Sequence, residues 1–308
     1  MSVLVSGGTG FIGAEVVRRI LREHPDWQMR CGTRNPGGRN PFGPGVAMVR
    51  SDVRARDSLR AATAQVDAVI HCVQFPNHPV ETPRRGFTYL EIDARGTRAI
   101  VEAAKENRVQ RFVYLSGAGA GQGRAEPWFV AKDLAEQAVR ESGMEYVILR
   151  PSWIYGPGDR SLNRFVNFAR WLPFVPVIGN GKNRVQPIWV SDVARIAVEA
   201  LTRAQATNRV FELGGPEMLS MDEILRTMLR VMGRGARARF LIHQPAWLVK
   251  AAVAPLTFLP TPPMSPQAID FIVGEAPVDS RDALATFGGS FSTLEEGLKT
   301  YLAPKAGS

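Results

Sequence analysis

Three glycines spaced three apart stand where an apolar strand turns into an amphipathic helix. Val3-Leu4-Val5 is followed by Gly7, Gly8, Thr9, Gly10, Phe11, Ile12 and Gly13, and apolar Ile12, Val16, Ile20 and Leu21 then recur at helical spacing. Glycine at such a turn allows the sharp reversal and lets a ligand approach the backbone. The free N–H groups and dipole of the new helix then face whatever anion sits there. In this context the pattern points to the pyrophosphate of a dinucleotide, gripped by Gly7, Thr9, Gly10, Phe11, Ile12 and Gly13.

The pattern after the turn is an alternation. Strand signals fall at 28–33, 46–49, 68–72, 111–115 and 146–149, and helix signals at 11–23, 89–107 and 128–142. Such alternation predicts an α/β fold with a doubly wound parallel sheet and helices on both faces. The chain has 308 residues, 45% of them hydrophobic, enough for this domain and a smaller one. Residues 151–187 are punctuated by Pro and Gly. A further strand is expected at 209–213, and a helix at 221–232. The expected division is 1–150 plus 187–215 for the nucleotide-binding domain, and 151–186 plus 216–308 for a substrate-side subdomain.

The choice of dinucleotide is read after the second strand, where an Asp or Glu ordinarily takes the ribose 2′-OH of NAD. No acid occurs from Trp27 to Ser51, which instead offers Arg30, Arg34, Arg39 and Arg50. Arg34 follows the strand directly, and a guanidinium pairs a 2′-phosphate bidentately, so NADP(H) is expected over NAD(H).

The net charge of +9 favours anionic partners. Arg226, Arg230, Arg234, Arg237 and Arg239, followed by apolar 246–259, form a candidate docking patch for a membrane surface or a protein complex. The apolar stretch is too short to cross a bilayer, which takes ~20 apolar residues. The arginine run lacks interleaved aromatics, so no nucleic-acid role is expected. Cys31 and Cys72 sit in apolar runs with no ligand spacing. The four histidines form no motif, so no metal is expected. The first strand begins at Val3, which leaves no room for a secretory leader, so a cytoplasmic setting is expected, with a place at the periphery of a membrane as the alternative.

Further segments follow in a recognisable order. They include Ser51-Asp52-Val53, Gly96-Thr97, Arg111-Phe112-Val113-Tyr114-Leu115-Ser116, Lys132, Leu149-Arg150-Pro151-Ser152-Trp153, Pro187-Ile188-Trp189-Val190-Ser191-Asp192, and Glu212-Leu213-Gly214-Gly215-Pro216. With the glycine turn they resemble an extended or atypical short-chain dehydrogenase/reductase, the NAD-dependent epimerase/dehydratase kind, built on a Rossmann domain. Residues 176–181 and 294–298 narrow the resemblance to bacterial relatives of the dehydrogenase-like accessory subunit of respiratory complex I. By position it implies that Phe11 and Ile12 meet the pyrophosphate, Asp52 and Val53 the adenine, and Cys72 and Val73 the adenine ribose. Pro151 and Trp153 are implied over the nicotinamide.

The catalytic pattern departs from the family's. Working members carry Tyr-x-x-x-Lys on one helix, the phenol moving a proton while the lysine lowers its pKa and holds the ribose. Here the segment is Trp128-Phe129-Val130-Ala131-Lys132, and an indole N–H is no proton relay near neutral pH. The assisting serine is represented by Ser116, with Ala118 two residues on, and the usual asparagine by Asp93. Two readings stand. One is an atypical hydride transfer to a small molecule of unread identity, with Lys132, Ser116 and in principle the Tyr155 phenol as candidate catalytic groups. The other is an accessory, assembly or regulatory protein that binds NADP(H) without turning it over.

Overall fold

The computed structural model describes residues 1–75, 78–238, 240–255 and 277–303. The elements run β1 (Ser2–Ser6), α1 (Phe11–Glu23), β2 (Gln28–Thr33), β3 (Val46–Arg50), α2 (Arg56–Thr63), β4 (Ala68–His71), α3 (Gly96–Glu106), β5 (Arg111–Leu115), α4 (Pro127–Arg140) and β6 (Glu145–Pro151). They continue with β7 (Ile154–Tyr155), α5 (Ser161–Trp171), β8 (Phe174–Ile178), β9 (Arg184–Val185), β10 (Ile188–Trp189), α6 (Val190–Glu199), β11 (Arg209–Leu213), β12 (Leu219–Ser220), α7 (Met221–Met232), β13 (Phe240–Gln244) and α8 (Ala246–Val253). Two short helices, Arg281–Phe287 and Leu294–Leu302, close the described chain.

The chain divides into two compact units. The first holds Met1–Pro151, Val190–Leu213 and Ser280–Gly289. Its seven strands lie in the order β11-β6-β5-β4-β1-β2-β3, every pair parallel. The order reverses between β1 and β4, and in open sheets of this kind the crevice outside the carboxyl ends at that point receives the ligand. The glycine turn leaves β1 there, and Cys72 leaves β4 there, its N–H donating to the Ser6 carbonyl at 2.9 Å. Helix α1 packs with α6, while α2, α3 and α4 pack in series. The latter group closes a core that includes Leu59, Ile100, Phe112, Tyr114 and Val139, and β4 and β5 are buried at every position, as central strands covered on both faces are.

Two expectations need correction. The stretch read as one helix over 89–107 begins as a π-helical segment, Tyr89–Arg95, and becomes α-helical only at Gly96. A side chain at Gly96 has no room, because a Cβ there would stand 2.8 Å from Val53 Cγ2. The wider winding before it turns Asp93 inward, where it is fully buried. The second correction concerns the last third of the chain, expected whole in the smaller unit. Ser280–Gly289 belongs to the first, where Phe287 meets Phe211 of β11 edge to face at 5.0 Å.

The second unit holds Ser152–Trp189, Gly214–Asp279 and Ser290–Ser308 within the described residues. Its core gathers α5, β8, α7 and Leu294–Leu302 around Leu162, Val175, Leu225, Met228 and Leu298. Helices α7 and Leu294–Leu302 each start on a capping box, Ser220 with Glu223 and Thr293 with Glu296. Arg226 pairs with Asp222 and Arg230 with Glu295, so the front of the expected basic run is neutralised locally. Arg239 and residues 256–276, part of the expected docking patch, lie outside the described residues.

Phe287→Ala removes a buried ring from the first unit and is expected to lower unfolding free energy by about 3–5 kcal/mol, read by urea denaturation. A cost below about 1 kcal/mol would detach this helix from the sheet.

Candidate functional site

The glycine turn is built by close approach. Gly7 takes φ +79°, in the left-handed region that favours glycine, and the N–H groups of Gly7 and Gly8 both donate to the Gly32 carbonyl at 3.0 Å. A Cβ on Gly8 would fall 2.6 Å from Cys31 Sγ, and one on Gly13 would collide with the Gly7 carbonyl. Gly10 caps α1 with no side-chain bond, and the first turn of α1 carries no acid. The first N–H groups of that helix are thus left to an anion, with no carboxylate to oppose it. This cradle fits a pyrophosphate. Thr9 sits beside it, its hydroxyl donating to Thr33 Oγ1 at 3.3 Å.

The other nucleotide-side candidates gather at the carboxyl ends of β2, β3 and β4. Val73 and the Cys72 carbonyl stand against the Gly7 α-carbon. Val53 is buried against Gly96. The Asp52 carboxylate is committed to Arg54, accepting its backbone N–H at 3.1 Å and lying 3.6 Å from its Nε. Arg34 is exposed, its guanidinium 5.8 Å from the centre of the Phe87 ring, with that of Arg54 4.8 Å from the same ring. Arg30, by contrast, is spent on the carbonyl of Ala64 at 2.6 Å. Sequence reasoning missed Arg54 and Phe87, for no periodicity marks the loop in which Phe87 lies. Pro151 ends β6 and accepts the Ala118 N–H at 2.9 Å, while Trp153 belongs to the second unit, its carbonyl accepting the Ile188 N–H.

The candidate catalytic groups are tied into packing. Lys132 Nζ lies 2.8 Å from Asp93 Oδ1, with the two side chains 3% and 0% exposed, and 3.4 Å from the Tyr114 hydroxyl. Thr97 connects Tyr114 to His71, whose Nε2 lies 3.2 Å from Thr97 Oγ1. Burial works against the ammonium, but the Asp93 carboxylate and Tyr114 outweigh it and hold Lys132 above its ordinary pKa. Burial likewise raises Asp93, an effect the lysine only partly offsets. His71 is pushed down to about 3, by burial first and by the Lys132 charge second, and so stays a neutral imidazole. Burial pushes the thiols of Cys31 and Cys72 up to about 11 and about 12.

Ser116 is engaged as well. Its hydroxyl donates to Glu136 Oε1 at 2.7 Å, and the same buried carboxylate receives Arg150 through two bonds, at 2.8 and 2.6 Å, and Arg140 at 2.7 Å. Side chains face the glycines of the loop after β5. A Cβ on Gly117 would stand 2.5 Å from the Trp128 ring, one on Gly119 2.6 Å from Phe129, and one on Gly121 would strike Arg150. An indole therefore lies on the α-carbon that follows Ser116, on the residue that takes the family's tyrosine position. The Tyr155 phenol, in the second unit, is fully buried and donates to the Thr293 carbonyl at 3.0 Å, which makes it a packing residue.

Among the described residues no cluster of His, Cys, Asp or Glu is placed to hold a metal, and no helix is long and apolar enough to cross a membrane.

Comparison with known proteins agrees with this frame. The model of the NAD-dependent epimerase/dehydratase family matches residues 3–214, and the chain belongs to that family. It is 29% identical over 273 residues to the mitochondrial NADH dehydrogenase [ubiquinone] 1 alpha subcomplex subunit 9 of Arabidopsis thaliana, a match covering 85% of this chain and 66% of that subunit. The chain thus spans slightly less than two thirds of that relative's length. It is 30% identical over 244 residues to the NAD(P)H azoreductase of Xenophilus azovorans, covering 76% of this chain and 75% of the enzyme. Its fold resembles UDP-glucose 4-epimerase from Thermotoga maritima, with TM-score 0.75, 18% identity, and coverage of 98% and 97% of the two chains.

Two outcomes test the buried charges. Asp93→Leu and Lys132→Met each strand a charge and are expected to cost about 3–5 kcal/mol singly. The double variant should cost much less than the sum; additivity in denaturant melts would refute the pairing. Because the folded pKa of His71 lies below its unfolded value, its contribution favours the folded state above about pH 6.5 and declines as pH falls toward about 3. Between pH 7 and 5 the loss is about 2 kcal/mol, and His71→Gln should flatten that slope.

Proposed function

We propose that this chain holds NADP(H) as a bound ligand, does not perform the alcohol–ketone oxidoreduction its family's tyrosine and lysine serve, and acts as a cofactor-stabilised accessory or assembly component of a protein complex. The observation that carries this reading is the buried Lys132–Asp93 pair. The ammonium that would hold a ribose and tune a phenol is consumed inside the fold, and the phenol itself is replaced by Trp128.

In this reading Phe11 and Ile12 offer backbone N–H groups to the pyrophosphate, Asp52 and Val53 border the adenine, and Cys72 and Val73 the adenine ribose. Arg34 supplies the 2′-phosphate contact, with Arg54 beside it on Phe87. When bound, the nicotinamide supplies hydride chemistry. The chain's own part is to bind and orient it, since neither Ser116 nor Lys132 is free to move a proton to a substrate. A cytoplasmic location, peripheral to a membrane or docked in a complex, goes with this role; the likeness to an NADH dehydrogenase subunit supports the docking in a complex.

The match to an azoreductase favours a second reading, hydride transfer to a conjugated acceptor without the tyrosine. Fluorescence titration and steady-state assay separate the two. NADPH is expected to bind at least about tenfold more tightly than NADH, and Arg34→Glu to abolish that preference. A purified protein incubated with NADPH and a panel of carbonyl, enone and azo acceptors should leave the cofactor unoxidised. Multiple-turnover oxidation lost in Lys132→Ala, with binding kept, would establish the reductase instead, and equal binding of NADH would remove the NADP(H) assignment.

A further inference from the structure

In the second unit β8 and β13 form a two-stranded parallel ribbon, with Phe174 opposite Phe240, Pro176 opposite Ile242 and Ile178 opposite Gln244. Parallel strands are ordinarily buried on both faces. Here one face, Val175, Val177 and Leu241, packs into the core. The alternate positions, Phe174, Pro176, Ile178, Phe240 and Ile242, make the other face, which is apolar and, among the described residues, only partly covered. The Phe174 and Phe240 rings stack at 6.2 Å, and Phe240 is 53% exposed. Trp171, three residues before β8, is 75% exposed. Trp247, three residues after β13, is 70% exposed on α8, a helix with no buried residue. Scattered exposed apolar residues are ordinary, but a ribbon face with an exposed tryptophan near each end of its strands needs an occupant.

Charge identifies that occupant. No Asp or Glu lies between Asp159 and Asp192, nor between Glu223 and Asp270, the two segments that carry β8 and β13, while they hold 5 and 6 Lys and Arg. The backbone N–H groups of Arg237 and Ala238 donate to the Ala169 carbonyl at 2.7 and 2.9 Å, which brings exposed Arg237 to the end of α5 where Arg170 and Trp171 lie exposed. A second copy of this chain would set like charges together on such a surface. The acid beside β13, Asp222, lies 2.8 Å from His243 and 3.4 Å from Arg226. Tryptophan, arginine and aliphatic groups suit the headgroup layer of an anionic bilayer, where the rings sit at the interface and the cations meet phosphate.

We propose that the outer face of the β8–β13 ribbon, with Trp171, Trp247, Arg170 and Arg237, seats this protein on an anionic lipid surface. The inference deepens the peripheral-membrane part of the function proposed above. It does not depend on whether the cofactor is turned over.

Co-sedimentation of the full chain with phosphatidylglycerol vesicles and with phosphatidylcholine vesicles tests it. The protein is expected to pellet with the anionic vesicles at low salt, to leave them at high salt, and to ignore the neutral ones. Trp171→Ser with Trp247→Ser, and separately Arg170→Glu with Arg237→Glu, should each lower the bound fraction at least about tenfold. NADPH affinity serves as the folding control and should be unchanged, which separates failure of the surface from failure of the cofactor site. Absence of pelleting at low salt, equal pelleting with both vesicles, or undiminished binding by both double variants would overturn the proposal. So would a concentration-dependent dimer, seen by sedimentation velocity, that the tryptophan variant abolishes.

Discussion

The ion pair between Lys132 and Asp93 is the interaction on which the nucleotide-binding unit depends. Both side chains are out of water and 2.8 Å apart, so burial disfavours the charge of each and the partner offsets that cost. The pair joins α4 to the π-helical segment before α3, and Thr97 and Tyr114 extend it to His71 at the end of β4. The helix layer and the sheet therefore meet in one buried polar chain. A group so placed is dear to move. Lys132, at the position of the family's ribose-holding lysine, is paired inside the fold with Asp93.

The same helix carries a second buried charge one turn on. Glu136 receives Arg150 of β6 through two parallel bonds and Ser116 from the end of β5. Helix α4 is thus fastened to the sheet at two successive turns, by charges of opposite sign that each satisfy a partner from another element. Between those fastenings and the loop after β5, Trp128 and Phe129 lie against Gly117 and Gly119. Bulk and charge together occupy the space in which a serine and a tyrosine would work. Ser116, Trp128 and Lys132 are thus each held by a packed neighbour: Glu136, Gly117 and Asp93. A lone Trp128→Tyr reversion would leave Ser116 and Lys132 still bound to Glu136 and Asp93.

The parts legible in the sequence were those set by neighbours along the chain. The glycine turn, β1, α1, β2 and α7 follow from local apolar spacing and turn chemistry, and the parallel sheet follows from their alternation. The acid-free stretch over 27–51 is likewise a local pattern, and the proposed role of Arg34 rests on it. What escaped was decided across distance. The burial of Lys132 needs Asp93, 39 residues away and turned inward by a π-helical winding that hydrophobic spacing reads as ordinary helix. The engagement of Ser116 needs Glu136, whose helical position facing the core is visible only once the core is known. The pairing of β8 with β13 joins strands more than 60 residues apart, and each alone is a short apolar run among prolines and glycines.

Anchoring the catalytic positions changes what a bound dinucleotide contributes. In a working reductase the contacts to the cofactor serve the transition state of a reaction. Under the function proposed above, the contacts of the turn at residues 7–13 serve no relay, and their free energy goes to the folded state. A ligand that binds only the folded chain stabilises it by about 2.7 kcal/mol at a hundredfold excess over its dissociation constant. That is a substantial share of the 5–15 kcal/mol that holds an ordinary domain together. On this reading such a chain senses cofactor concentration through its own population of folded molecules.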